Sequence, residues 1–508
     1  MSHYLKMICL TFLCVLLGAS PVLAKGDTFT VGLLQSPKNL DPHATNDPQS
    51  HNVTYAVHEM LVQGTPDGRI LPWLAERWEI APDLMATKFF LKKGVKFHNG
   101  EIMTADDVVY TFQRALSPAA SAIRGLTSHI AGVEKVDDHT VILRSKQPMG
   151  DVFMLSLTHP WAGILNQKAV DKFGKNYGQN PVGTGKFVFK RWVTGDRVEL
   201  ERFEDYHGEK AKYKHLIYRV ITEAPIRTVE LESGACDFIQ DPAPIDMGRI
   251  KDNPNLVAIA VPSNRLWHIG FDVTREPFDN LKVRQAINMA VKRDPICKIS
   301  FQGYARPARG MTTSACKYAK YDTTPPFKED TAAAKKLLAE AGYPNGFKMK
   351  LIIADRVDHN SIATILQASL KEIGIDVELD VYEWGTWVDA VARKGHSPYL
   401  NNFWGGAPAL DPFFLLQTGF HSSAIPTPNR TFYSNKELDA MFDAGAGMLD
   451  GPERAKMYGD IWDLLNRELP WVPLVEMLNL YGQSKEVKGI DHGPGVINYF
   501  AGASFDPK

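Results

Sequence analysis

Patterns that mark catalytic sites are missing from this chain. The stretch GTGK (183–186) hints at a phosphate-binding loop, but it lacks the Walker spacing, and Phe187 stands where Ser or Thr would bind magnesium. No Gly-x-Ser-x-Gly turn and no His-Glu-x-x-His helix occurs, and the 15 histidines are scattered. No two carboxylates are marked by their spacing as an acid–base couple. The sequence therefore predicts no catalytic residue, no metal site and no cofactor.

Aromatic residues stand where ligand chemistry could occur. Bulky rings fall at the ends of predicted strands or in the loops that follow, namely Trp267, Trp384, Trp387, Phe403 and Trp404. Each ring taken singly could equally be a core residue. Trp404 differs because Gly405 and Gly406 follow it: glycine allows close approach of a ligand, and indole offers a flat apolar wall with one N–H donor. The stretch NNFWGGAPALDPFF (401–414) is therefore interpreted as a pocket loop, with a buried turn as the alternative.

Length and composition limit the classes of protein. A chain of 508 residues is too long for one core and predicts two or three lobes. Its 44% apolar and 23% charged residues are typical of soluble globular proteins. The formal net charge of −1 gives no electrostatic reason to expect nucleic acid or an anionic membrane as partner.

Residues 1–24 have the pattern of a secretory signal peptide. An apolar run from Met7 to Leu17 follows Lys6, and small Ala24 ends the segment. The run is too short to span a bilayer, and no later run reaches the roughly 18 apolar residues that a transmembrane helix needs. Cys14 is not preceded by the small residues of a lipid-attachment site. We therefore expect cleavage near Ala24 and a soluble periplasmic protein.

Three cysteines remain after cleavage: Cys236, Cys297 and Cys316. In an oxidising compartment one disulfide and one left-over thiol are expected, and the sequence does not choose the pair. No Cys-x-x-Cys spacing occurs, so a zinc or redox site has little support.

Predicted strands and helices alternate in two separate regions. Residues 28–35 read as a buried strand, residues 51–63 have helical spacing, and VTGD (193–196) joins two alternating segments into a hairpin. Residues 348–384 predict a strand–helix–strand unit with parallel pairing. The pattern favours two α/β lobes, with ligands bound at loops beyond the carboxyl ends of strands and between the lobes.

Five long blocks of the chain stand in an order that matches a known family. They are LPWLAERWEIAPDLMATKFFLKKGVKFHNGEIMTADDVVYTFQRAL (71–116), NPVGTGKFVFKRWVTGDRVELERFEDYHG (180–208), FDVTREPFDNLKVRQAINMAVKRDPI (271–296), AKKLLAEAGYPNGF (334–347) and VYEWGTW (381–387). The chain resembles family 5 of the extracellular solute-binding proteins, which are the peptide, nickel and opine receptors of bacterial ABC importers. The resemblance covers essentially the whole mature chain.

The resemblance implies a two-lobe periplasmic binding protein fold of type II, with an extra subdomain and a hinge between the lobes. The implied parts are lobe I at 25–58, 178–264 and 485–508, an inserted subdomain at 59–177, lobe II at 265–484, and hinge segments near 261–268 and 480–486. The implied function is capture of a small peptide, or a peptide-like or opine-like polar ligand, and its delivery to the inner-membrane ABC permease. Ligand binding would favour the closed state that the permease recognises. No reaction and no oligomer are expected.

Some ligand contacts of the family carry over to matching positions. The turn after the first strand supplies Gln35, Ser36, Pro37 and Lys38, and the EWGTW block supplies Trp384.

Two further residues stand at the predicted junction of the lobes. The segment SNRLWHIGF (263–271) offers Arg265 and Trp267. Arg265 could pair with a ligand carboxylate or phosphate, or it could be an interlobe or surface arginine.

The pocket loop departs from the peptide receptors, where it reads Gly-Trp-x-x-Asp and the Asp pairs with the free ammonium of the peptide. Counting back from DPFF, the aromatic position falls on Phe403 and the acidic position on Gly406, next to Trp404 and Gly405. Asp411 is interpreted as serving the turn with Pro412. Burying an ammonium without a carboxylate costs on the order of several kcal/mol, which argues against peptides with a free amine as ligands. A bulkier or uncharged ligand group could fill the space that the missing side chain at Gly406 leaves.

Two alternatives stay open. WGGAP…DP is similar to the nickel-receptor version of the loop, but the segment that carries an arginine in those receptors here reads LSLTHPWAG (155–163), with His159. The first alternative is therefore a nickel or metallophore receptor of an ABC importer. The second, from another class, is a periplasmic chaperone or hydrolase on the same fold.

Overall fold

Two long antiparallel strands run through the centre of the protein. They occupy Leu256–Gly270 and Trp471–Ser484 in the computed structural model, which describes residues 26–65, 68–404, 411–495 and 497–505, with the side chains of residues 403 and 404 left out. The predicted signal peptide, residues 1–24, lies outside the described residues. Within them, no helix combines the length and the apolar character that crossing a bilayer requires.

The strands of the described residues are β1 (Thr28–Leu33), β2 (Val62–Gly64), β3 (Ile70–Pro72), β4 (Ala75–Ile80), β5 (Ala86–Leu91), β6 (Ile130–Asp137), β7 (Thr140–Ser145), β8 (Phe187–Val193), β9 (Arg197–Arg202), β10 (His215–Val220), β11 (Phe238–Gln240), β12 (Leu256–Gly270), β13 (Ala305–Pro307), β14 (Lys348–Ala354), β15 (Asp376–Tyr382), β16 (Tyr399–Trp404), β17 (Trp471–Ser484), β18 (Val487–Lys488) and β19 (Ser504–Phe505).

The α-helices are α1 (Pro48–Val57), α2 (Ala105–Leu116), α3 (Arg124–Thr127), α4 (Asp151–Ser156), α5 (Gln167–Phe173), α6 (Ala224–Glu232), α7 (Met247–Asp252), α8 (Leu281–Ala290), α9 (Arg293–Pro295), α10 (Thr331–Glu340), α11 (Val357–Lys371), α12 (Trp384–Val391), α13 (Thr418–Phe420), α14 (Lys436–Ala446) and α15 (Pro452–Glu468). Short 3-10 helices cover Pro118–Ile123, Pro160–Ala162, Gly174–Gln179, Pro244–Asp246, Ser422–Ala424 and Phe500–Gly502, and π-helices cover Ile296–Ser300 and Phe413–Gln417.

Strands β12 and β17 join two halves of one sheet, whose order is β15-β14-β16-β12-β17-β11-β1-β10-β9-β8, with β13 on β17. The first half of β12 pairs with residues 478–484, and its second half lies between β17 and β16. Pro262 pairs with Leu478 and Leu266 with Glu476, so residues 263–265 stand opposite Met477 alone. Such a β-bulge bends a strand and changes the direction of its side chains, here at the point where the sheet changes partners.

The strand–helix–strand prediction is confirmed. β14 and β15 pair in parallel from Lys348↔Asp376 to Ala354↔Tyr382, and α11 makes the connection between them. The apolar faces of these elements form one core with α8 and α10. The predicted hairpin is also confirmed, since β8 and β9 pair on either side of VTGD.

The predicted helix over 51–63 is wrong at both ends. The helix starts at Pro48, which Asp47 caps by accepting the Ser50 N–H at 2.8 Å, and it ends at Val57. Met60, Leu61 and Val62 are all fully buried. Three consecutive buried residues cannot share one face of a helix, so the chain leaves the helix and enters β2.

A separate four-stranded sheet, β4-β5-β7-β6, packs its apolar face with α2 into a second core. This sheet lies within the residues predicted for the inserted subdomain, 59–177, and the predicted hinge segments lie within or next to β12 and β17. The boundaries of the lobes stay a prediction.

The expectation of a disulfide is wrong. Cys236, Cys297 and Cys316 are all buried free thiols, and each packs in a different apolar cluster. Burial raises the pKa of the Cys236 thiol to about 12, so the thiolate needed for exchange is disfavoured.

The end of the NNFWGGAPALDPFF stretch is held by a buried ion pair. Asp411 accepts two hydrogen bonds from Arg454, at 2.6 and 2.8 Å, and both side chains are fully buried. Asp411 also accepts the N–H of Phe413 at 3.0 Å, which confirms that it serves the turn with Pro412. Arg454 lies against Tyr318 and Tyr458.

We expect Asp411→Asn to lower the free energy of unfolding by about 3–5 kcal/mol, because it leaves the guanidinium of Arg454 buried and unpaired. Urea denaturation followed by tryptophan fluorescence measures the change. Asp460→Asn is the matched control, on the same helix as Arg454: it breaks the exposed pair with Lys456 and should cause no measurable loss. Equal midpoints for the two variants would contradict the structural role of Asp411.

Many histidines are buried in the neutral form. Burial lowers the pKa from the ordinary 6.5 to about 4 at His43, His51, His98, His129 and His359, and to about 3 at His58 and His268. The unfolded chain therefore binds more protons than the folded chain below pH 6.5. Stability is fully present above that pH and is lost as the pH falls toward 4.

We expect the free energy of unfolding to fall as the pH decreases from 6 to 4.5, with an upper limit of about 1.4 kcal/mol per pH unit for a histidine that is neutral when folded and protonated when unfolded. His51→Gln should make this slope shallower by about one proton, because His51 is buried and its pKa is lowered to about 4. Urea denaturation at a series of pH values measures the slope, and a variant slope equal to that of the wild type would contradict the assignment.

Candidate functional site

A cavity of about 350 Å3 lies where β12 and β17 change sheet partners. Its walls come from the ends of β1 and β11, the middle of β12, β16 and β17, and the first residues of α1, α11 and α12. The volume is within the range of about 300–1,000 Å3 that is usual for small-molecule sites. The loops that follow strands thus meet the central strands at one place, as the sequence predicted.

Four of the predicted site residues line this cavity: Gln35, Arg265, Trp267 and Trp384. Three others, Ser36, Pro37 and Lys38, are not among its lining residues. Gln35 is held in place because its amide donates to the capping carboxylate of α1, Asp47, at 2.9 Å.

Four predicted residues fall wholly or partly outside the described part of the chain. Phe403 and Trp404 are paired in β16 with Leu266 and Arg265, so the backbone of the stretch lies beside the bulge. The side chains of Phe403 and Trp404, and all of Gly405 and Gly406, lie outside the described residues. Their role in ligand binding stays a prediction.

Arg265 is the last residue of the bulge. Its guanidinium donates to the Asn479 side-chain oxygen at 3.0 Å and lies 3.7 Å from a carboxylate oxygen of Asp241. Asn479 in turn donates to the carbonyls of Pro494 and Gly495, at 2.9 and 3.1 Å. The arginine is therefore fixed by β17 and the segment after it, while its charge stays at the cavity wall.

Asp241 lies at the end of β11, opposite Arg265. Its backbone is in the left-handed region, with φ of +44°, directly before Pro242. Its N–H donates to the carbonyl of Leu480 at 3.0 Å, which ties the residue to β17. Its side chain is 44% exposed, so a ligand could reach it.

Aromatic rings cover the other wall of the cavity. Trp267 is almost fully buried and donates its indole N–H to the Met477 sulfur at 3.1 Å, so only part of the ring faces the cavity. The His359 ring stands edge-on to Trp267 with centroids 4.9 Å apart. Burial lowers the pKa of His359 to about 4, so it is neutral at physiological pH.

Trp384 and Arg356 form a stack at the cavity edge. The rings of Trp384 and Trp387 are parallel with centroids 4.9 Å apart, and the guanidinium carbon of Arg356 lies 4.7 Å from the Trp384 ring centre. Trp384 is 41% exposed and Trp387 is buried. Trp384 is thus stacked on Trp387 and has the Arg356 guanidinium over the face of its ring.

The sequence reasoning missed two charged residues, Asp241 and Arg356. Both directly follow or nearly follow the carboxyl end of a strand, β11 and β14, which is where ligand groups are expected in α/β folds. That positional rule could have selected them. With Arg265 and Asp358, they give the cavity two basic and two acidic side chains.

The chain is similar to known proteins over nearly its whole length. The family model described as bacterial extracellular solute-binding proteins, family 5 Middle, matches residues 69–425. The glutathione-binding protein GsiB of Salmonella choleraesuis is 32% identical over 484 residues, which cover 92% of this chain and 91% of that protein. Heme-binding protein A of Haemophilus influenzae is 30% identical over 517 residues, which cover 96% of this chain and 93% of that protein.

A solved structure has the same architecture. It is the ABC transporter-associated periplasmic binding protein DppA from Helicobacter pylori, in complex with peptide STSA. It superposes with a TM-score of 0.81 at 27% identity and covers 94% of this chain and 98% of that one. The α/β, two-lobe periplasmic binding protein fold predicted from the sequence is confirmed.

We expect Trp384→Ala to weaken binding of the ligand that co-purifies with the protein by more than about 1 kcal/mol, because a supported aromatic wall is lost. Trp78→Ala, on β4 in the separate four-stranded sheet, is the control. Calorimetric titration measures both affinities, and an unchanged affinity for Trp384→Ala would remove this ring from the binding site.

Proposed function

The chain belongs to family 5 of the bacterial extracellular solute-binding proteins, and from this premise we propose that its ligand is a small peptide or peptide-like molecule, held in the cavity where β12 and β17 change sheet partners. Two lobes close around the ligand, and the closed form delivers it to an inner-membrane ABC permease.

The observation that carries the ligand class is the combination of both signs of charge with aromatic walls. A peptide has an anionic end, a cationic end and apolar side chains between hydrogen-bonding amides. The guanidinium groups of Arg265 and Arg356 can pair with the anionic end of the peptide. The stacked Trp384 can pack against an apolar side chain of the peptide. The side-chain amides of Gln35 and Asn402 line the cavity between them and can bond the peptide groups.

Arg356 is the residue best suited to a ligand carboxylate. Within the described residues its guanidinium makes no hydrogen bond or ion pair, and its contact is with the face of Trp384. It is exposed at the cavity edge, so neutralising its charge costs the fold little. A cation that the fold does not use is available to a ligand.

The similar proteins support this class of ligand. One relative is a glutathione-binding protein, and glutathione is itself a modified tripeptide. The solved structure described above contains the peptide STSA. These comparisons do not favour a nickel or metallophore receptor, or a periplasmic chaperone or hydrolase. In the described ranges, no group of three or more His, Cys, Asp and Glu side chains could hold a metal ion.

The remaining parts of the proposal rest on the sequence pattern of residues 1–24 and on the expectations drawn from the sequence. The chain is exported to the periplasm after cleavage near Ala24, acts as a monomer, and makes or breaks no bond in its ligand. Native mass spectrometry of protein purified from its own periplasm tests the whole proposal: a peptide-like mass supports it, whereas a metal complex or hydrolysed peptides would contradict it.

We expect Arg356→Gln to weaken binding of the identified ligand by about tenfold or more, because a hydrogen bond to a charged group contributes about 1.5–3 kcal/mol. Arg249→Gln is the matched control, since Arg249 is a half-exposed arginine paired with Glu232 and does not line the cavity. Isothermal titration calorimetry measures both variants, and equal affinities would contradict the role of Arg356.

A further inference from the structure

We propose that Asp241 is the carboxylate that receives the free ammonium group of the ligand. This inference rests on the proposed function and narrows it to peptide-like ligands with a free amine. The acidic position of the pocket loop falls on Gly406, outside the described residues, and Asp411 is buried against Arg454. An ammonium in this cavity therefore needs an acid from another element.

The backbone of Asp241 is held in a conformation that its own sequence disfavours. A side chain other than glycine is uncommon at positive φ, and a residue before proline is normally extended. Strained residues of this kind persist where surrounding structure holds them, and they concentrate at binding sites.

Buried Arg227 holds the backbone of Asp241 in this conformation. Its guanidinium donates to the carbonyls of Ile221 and Thr222 after β10, at 2.7 and 2.9 Å, and of Gln240 and Asp241 after β11, at 3.0 and 2.6 Å. The four bonds join the carboxyl ends of the two strands. The carboxylate of Asp241 is thereby placed at the cavity and does not pair with the arginine that positions it.

The pair formed by Asp241 and Arg265 is open to exchange. Their closest charged atoms are 3.7 Å apart, longer than a hydrogen bond, whereas Arg265 has a 3.0 Å bond to Asn479. A ligand that brings its own ammonium and carboxylate can bind both groups without leaving either charge unpaired.

Asp358, the other carboxylate of the cavity, is less suited to this role. It accepts the N–H of His359 at 2.9 Å and lies in the first turn of α11, where the helix N-terminus already compensates its charge. It is therefore the natural control for Asp241.

The test compares two pools of di-, tri- and tetrapeptides with the same sequences. One pool has free amino termini, and the other has N-acetylated amino termini. Binding is measured by native mass spectrometry and then by calorimetry on the tightest member. Asp241→Asn removes the charge and keeps a residue that tolerates positive φ. Asp358→Asn removes the control charge, and circular dichroism checks that both variants fold.

We expect the wild type to prefer the free-amine peptides by about tenfold or more, Asp241→Asn to lose this preference, and Asp358→Asn to keep it. A preference that survives Asp241→Asn, or that disappears in Asp358→Asn, overturns the inference. Equal binding of both pools by the wild type would also overturn the role of Asp241, without any variant. The proposed function would still stand in that case, because the protein would bind peptides. If the wild type binds neither pool, the proposed function and this inference both fail.

Discussion

The antiparallel pairing of β12 with β17 is the constraint on which the rest of the structure depends. One part of each strand pairs within the half of the sheet that contains β1, and the other part pairs within the half that contains β14. The change of partners occurs at the bulge over residues 263–265. The bulge removes the regular alternation of side chains at that point, which directs Arg265 toward the cavity. The bulge therefore lies where the sheet changes partners and, through Arg265, at the wall of the cavity.

Buried arginines that bond to carbonyl groups fix the loops around this frame. Arg227 holds the left-handed Asp241, and Arg284 holds another left-handed residue, Leu469, by donating to its carbonyl and to that of Glu468. Burial lowers the pKa of both arginines. A guanidinium has five donors in a rigid plane, so it can satisfy several turn carbonyls at once, and this offsets part of the cost of burying its charge.

The sequence predicts those parts of the fold that depend on local patterns. The unit over 348–384 is recognisable because strand and helix periods alternate there, whereas residues 60–62 are misassigned since a short apolar run has no period of its own. At the candidate site, Trp384 is predicted from a block that matches the family, and Arg265 from its place at the predicted junction of the lobes. Asp241 is missed, although its place directly after β11 is one that the positional rule could have selected. The contacts with Arg227 and Arg265 that hold it exist only in the folded chain.

The contact between Arg265 and Asn479 affects the order in which parts of the fold form. These residues are 214 positions apart in the chain, and Asn479 is itself fixed by residues 494 and 495. The cavity wall that carries Arg265 is therefore incomplete until residues 494 and 495 have joined the fold. Contacts at such separation close slowly, so this wall of the cavity is among the late parts of the structure to form.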